Sequence, residues 1–73
     1  MAEITVRAEL SCAVWKIEAA PGTLVREGDT LVILESMKME IPVLAPAGGT
    51  VTAILVAEGE QITEGTPVAR ISR

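Results

Sequence analysis

The sequence predicts an all-β domain, a flattened barrel or sandwich of short strands related by a pseudo-twofold. Three observations predict it. Val, Ile and Thr dominate the apolar runs, which favours extended chain. Gly-containing turns interrupt those runs, and no apolar pattern of period 3.6 lasts long enough between them to form a helix. The chain also repeats itself: displaced by 37 residues, Glu3-Ile4-Thr5-Val6-Arg7-Ala8 falls on Glu40-Ile41-Pro42-Val43-Leu44-Ala45.

The match continues along the chain. Val14 falls on Val51, Ile17 on Ile54, Ala20 on Ala57, Gly22 on Gly59, Glu27 on Glu64 and Gly28 on Gly65, with Val25/Ile62, Leu31/Val68 and Leu34/Ile71 as conservative pairs. Residues 3–36 thus repeat as residues 40–73 without a gap, leaving Met37-Lys38-Met39 between them. Halves this short cannot bury their apolar faces alone, so one domain spanning residues 1–73 is expected, built by packing one half on the other.

The first half supplies four strands. Residues 3 to 7 alternate apolar and polar, Leu10 to Ala13 makes a bend, and Val14 to Ala19 is a second strand. The three-residue step from Val14 to Ile17 recurs from Val51 to Ile54, and an odd step in a period-2 element predicts a bulge or corner in both halves. Ala20-Pro21-Gly22-Thr23 is a turn, Leu24-Val25 a very short strand, Arg26-Glu27-Gly28-Asp29 another turn, and Thr30 to Glu35 a strand.

The second half replays this. Met39 to Leu44 is a strand, Ala45 to Gly49 a loop, Thr50 to Val56 a strand, Gln61-Ile62 a short strand between turns at Glu58-Gly59-Glu60 and Thr63-Glu64-Gly65-Thr66, and Pro67 to Ser72 the last strand.

Composition narrows the chemistry. Aromatics are 1% of the 73 residues, Trp15 alone, so the core must be made of small aliphatics, which Val, Ile, Leu and Ala supply. A net charge of −4 with no basic cluster argues against nucleic acid as a partner. No apolar run approaches the length of a membrane span, and Met1-Ala2-Glu3 lacks the start of a signal peptide, so a cytoplasmic location and no membrane partner are expected. With no His and only Cys12, zinc sites, Cys-His dyads and Ser-His-Asp triads are excluded, and Cys12 reads as a small buried hydrophobe.

The chemistry then concentrates at the junction of the halves. The chain must reverse between Leu31-Val32-Ile33-Leu34 and Ile41-Pro42-Val43-Leu44, yet the tip offers only Ser36, Met37, Lys38 and Met39, with none of the Gly or Asn that tight hairpins favour. A chain that uses Gly at its other turns and withholds it here marks a functional site. Alternation places Met37 and Met39 on one side and Ser36, Lys38 and Glu40 on the other. Lys38 must project into water, because a buried ammonium needs a partner. The residues alone leave open an ordinary solubilising lysine, methionines folded inward to plug the end of the barrel, or a flexible, polarizable Met pair gripped by partners around a lysine that is modified.

Glu35-Ser36-Met37-Lys38-Met39-Glu40 resembles the signature of biotinyl domains, in the biotin/lipoyl attachment family, usually Glu-Ala-Met-Lys-Met-Glu. The likeness extends through Val25-Arg26-Glu27-Gly28-Asp29 before the motif and Ala45-Pro46-Ala47-Gly48-Gly49-Thr50-Val51 after it. It implies a flattened barrel of two four-stranded antiparallel sheets with the lysine on an exposed hairpin. Two departures stand out. Ser36 replaces the usual Ala, and Leu10-Ser11-Cys12-Ala13-Val14 replaces the usual Met-Pro-Gly-Thr-Val, so Cys12 is strained if that position needs positive φ.

The resemblance also implies the function. Lys38 is expected to carry covalent biotin, attached by a biotin-protein ligase that reads the flanking Met37 and Met39, with Glu35 as a further motif residue. The group then takes a carboxyl from a biotin carboxylase and delivers it at a carboxyltransferase, the domain being a carrier and not an enzyme. Two other readings compete. One is a lipoyl carrier, whose motif usually reads Asp-Lys-Ala, and the other a β-barrel binding or assembly module with no modification.

Overall fold

The computed structural model describes residues 2–73. It contains eight strands: β1 (Glu3–Arg7), β2 (Cys12–Ile17), β3 (Leu24–Val25), β4 (Thr30–Ser36), β5 (Met39–Leu44), β6 (Gly49–Ile54), β7 (Gln61–Ile62) and β8 (Pro67–Ser72). They form two antiparallel four-stranded sheets, ordered β1-β8-β6-β3 and β5-β4-β2-β7. Exchanging each strand for its 37-residue counterpart turns one order into the other, which is the pseudo-twofold expressed as topology. Each sheet draws two strands from each half.

Backbone bonds lock the halves together. Gly22 N–H donates to Val51 O at 2.7 Å and Gly59 N–H to Val14 O at 2.7 Å, so the turn of each half caps a strand of the other. The four glycines sit at the third position of i→i+3 turns closed by Thr23 N–H to Ala20 O, Asp29 N–H to Arg26 O, Glu60 N–H to Ala57 O and Thr66 N–H to Thr63 O. Their φ values of 88–93° are those of a type II turn, which bars a Cβ there at low cost.

The odd steps in both halves are bulges. The register shifts between Val14 and Lys16 and again between Val51 and Ala53, so Trp15 and Thr52 are the extra residues. Five boundaries differ from the sequence expectation: β4 runs on to Ser36, which pairs with Met39, β6 spans Gly49–Ile54 instead of Thr50–Val56, its start pairing with Val25, and both ends of β2 move. β2 begins at Cys12 instead of Val14, because Cys12 and Ala13 pair with Ile62 and Gln61 of β7. It ends at Ile17 instead of Ala19, because Glu18 N–H and Ala19 N–H both converge on Leu31 O and turn the chain away.

The core is aliphatic. Leu31, Leu34, Ile71, Val14, Val32, Val51 and Val68 are fully buried, and all but Val32 are repeat mates of one another. Removing each such side chain from water stabilises the fold by about 1.5–3 kcal/mol. Trp15 stays outside, 47% exposed. Among the described residues no helix is long and apolar enough to cross a membrane.

Candidate lysine attachment site

The β4–β5 hairpin is the longest ladder in the molecule and ends in a two-residue loop. Pairing runs from Ile33↔Pro42 through Leu34↔Ile41 and Glu35↔Glu40 to Ser36↔Met39, leaving Met37 and Lys38 as the tip. Their φ values are 52° and 66°. Positive φ at both central positions is the type I′ form whose twist matches the strands, and it normally recruits Asn-Gly because a Cβ there crowds the following carbonyl. The hairpin is therefore formed against local preference and held by the ladder below it. Replacing Met37 by Gly is expected to raise stability by about 0.5–1 kcal/mol in chemical denaturation, by relieving that crowding.

This turn corrects the alternation expected from sequence. Cross-strand partners share a face, so Met39 lies on the side of Ser36, and Glu40 on the side of Glu35. Neither methionine plugs the barrel: Met37 is 92% exposed and Met39 63%. Lys38 is exposed, and it forms no salt bridge among the described residues, where Lys16 Nζ meets Glu18 Oε1 at 3.7 Å. Glu35 and Glu40 are exposed and directly opposite each other, a like-charge pair that adds a small further cost to the hairpin. The arrangement presents a primary amine at a fixed place, flanked in sequence by two exposed methionines.

A shallow groove of about 510 Å³ runs along the hairpin's flank, where Ser36 and Lys38 meet Ser11, Cys12, Gln61 and Thr63. Motif reading did not bring these last four to the site, because β2 and β7 join only through tertiary pairing. Cys12 is buried and unstrained, Met37 and Lys38 being the positive-φ non-glycine residues of the described chain. Its thiol donates to Leu10 O at 3.4 Å, and burial pushes its pKa up. A raised thiol pKa keeps the neutral form in the fold, so its contribution to stability is full below the ordinary thiol pKa and is lost as pH rises through the folded value. Iodoacetamide is expected to label Cys12 several-fold more slowly in the native chain than in urea at the same alkaline pH.

Comparison with known proteins agrees with this geometry. A family model described as "Biotin-requiring enzyme" matches residues 2–71. The chain is 47% identical over 67 residues to a "Biotinylated protein TB7.3 homolog" of Mycobacterium leprae, covering 92% of this chain and 94% of that one. The Kluyveromyces lactis urea carboxylase structure superimposes with a TM-score of 0.93 at 35% identity, over 99% of this chain and 6% of that much longer one. The lipoyl domain of the 2-oxoglutarate dehydrogenase complex of Azotobacter vinelandii superimposes less closely, with a TM-score of 0.73 at 25% identity over 86% of this chain and 80% of that one. The chain, with its lysine raised on a type I′ hairpin at the junction of two interlocked halves, belongs to the biotin/lipoyl attachment family of biotin-requiring enzymes.

Proposed function

We propose that the chain is a biotin carrier, with Lys38 as the attachment point. The observation that carries this reading is the tip itself: an exposed, unbridged amine between two exposed methionines, on a backbone that local preference alone would not choose. These residues fit a covalently attached acyl group. The amine is open to an incoming enzyme, and no carboxylate of the described chain has to be displaced from it.

In this reading a biotin-protein ligase first activates the biotin carboxyl with ATP, releasing pyrophosphate. It then grips Met37 and Met39 and takes the proton of Lys38 Nζ, and that nitrogen displaces AMP from the activated carboxyl to form the amide. Bound biotin supplies the ability to accept a carboxyl group at a biotin carboxylase and release it at a carboxyltransferase. The chain's own residues do the rest by position. The ladder below the turn fixes where the arm begins, and tethering raises its effective concentration at successive active sites. Acylation removes one positive charge, taking the formal net charge from −4 to −5.

The test is the intact mass after incubation with a biotin-protein ligase, ATP and biotin, beside a parallel lipoylation reaction. One added biotinyl group is the expected result. A lipoyl group alone would assign the methionines to a different ligase, and no addition in either reaction would leave an unmodified binding module.

A further inference from the structure

The two long outer strands, β1 and β5, are repeat mates, but their free edges differ. Pro42 stands in the middle of β5, and its counterpart in β1 is Thr5. Proline has no N–H to offer, so it is tolerated on an edge only where that nitrogen faces away from the ladder, and it blunts the edge against further pairing. Thr5 leaves the corresponding edge open.

The direction of the β1 backbone groups follows from the bonds at its ends. Arg73 N–H donates to Ala2 O at 3.0 Å, and beyond the bulge Ala8 N–H donates to Thr66 O at 2.9 Å while Gly65 N–H donates to Ala8 O at 2.8 Å. Residues 2 and 8 therefore face β8. Along an antiparallel strand such residues alternate with outward-facing ones, so Glu3, Thr5 and Arg7 turn their N–H and C=O groups to the free edge. The Pro42↔Ile33 pair occupies the place equivalent to Thr5↔Arg70 and gives the same answer independently.

The five residues of β1 read Glu-Ile-Thr-Val-Arg, which is self-complementary when reversed. A second copy placed antiparallel about a twofold at Thr5 sets Thr5 opposite itself, Ile4 opposite Val6, and Glu3 opposite Arg7. Each outward-facing residue then exchanges two backbone bonds with its opposite, and each Glu3 carboxylate meets the Arg7 guanidinium of the other copy. Glu3 and Arg7 are both exposed. Within the chain Glu3 uses Oε2 to accept from Thr52, and Arg7 uses one Nη1 N–H to donate to Gly65 O. A groove of about 560 Å³ lies between β1 and β5, so this side of the flattened barrel is open.

We propose that the β1 edge is a self-association surface whose partner is a second copy of this chain, joined strand to strand about Thr5. The surface is independent of Lys38, and its test does not depend on biotin. A five-residue strand buries far less than the ~1,600 Å² of a standard interface, so association is expected at about 0.1–1 mM protein.

Sedimentation across that range should show the mass of the full chain rising towards twice its monomer value. Thr5→Pro should stay monomeric throughout with an unchanged melting temperature, since Pro42 shows that the fold accepts proline at the equivalent place. Glu3→Arg alone and Arg7→Glu alone each oppose like charges and should not associate, whereas an equal mixture of the two should recover the doubled mass. A wild-type chain that remains monomeric, a Thr5→Pro chain that associates as wild type, or a mixture that stays monomeric would overturn the proposal. Should Thr5→Pro unfold, the charge-variant mixture decides.

Discussion

Lys38→Arg is expected to fold and melt as the wild type does and to accept no biotin at all. The substitution keeps the positive charge and places another long side chain at the same exposed tip, so neither the ladder nor the turn loses a contact. What it removes is the primary amine. A guanidinium stays protonated throughout the accessible pH range and does not serve as the attacking nucleophile. Intact mass after ligation and a thermal melt read the two outcomes separately. Lys16, the chain's other lysine, is an internal control, because it lies on β2 and is ion-paired with Glu18 at 3.7 Å. A biotinylated Lys38→Arg chain would move the attachment site to Lys16 or the amino terminus and end the assignment made here.

Gly49→Ala should be the most damaging of the glycine substitutions. A Cβ at Gly49 would collide with the backbone oxygen of Ser72, and would stand 2.9 Å from Ile71 Cγ2 and 3.0 Å from the Ser72 carbonyl carbon. β6 is held on both sides, through Thr50↔Ser72 to β8 and Val25↔Gly49 to β3, so the strand cannot move aside without breaking a ladder. We expect a loss of about 3 kcal/mol, and a fall in melting temperature of roughly 15 °C for a domain of this size. Gly48→Ala is the matched comparison. Its nearest neighbour would be Val25 O at 3.5 Å, ordinary contact, and the variant should melt close to wild type. Equal effects at the two positions would mean that crowding against Ser72 is not the cause.

The repeat mate of Gly49 is Cys12, and the pair shows how far sequence reading reached. A glycine expected at that place for its φ proves, in the half that keeps it, to be needed for close approach instead. Cys12 occupies the same place in the other sheet, where its side chain lies buried beside the groove along the hairpin. No one-dimensional pattern separates those two uses of glycine. The tip was legible in a different way. A missing turn residue marked Met37-Lys38 as unusual, but which conformation replaced the expected one depended on the ladder above which it sits.

Local chemistry is therefore what the sequence determined by itself. Gly22, Gly28, Gly59 and Gly65 place four turns because only glycine takes φ near 90° cheaply, and runs of Val, Ile and Thr between them can only be short strands. The repeat set which apolar positions are buried, and the motif located the lysine. Tertiary structure decided what pairs with what. It interleaved the halves so that each sheet takes two strands from each, began β2 at Cys12 through pairing with β7, and drove Met37 and Lys38 into positive φ. The physical reason is that ladder bonds and core burial between distant segments outweigh a local backbone cost of about 1–2 kcal/mol per residue, and such long-range terms are absent from any short window of the chain.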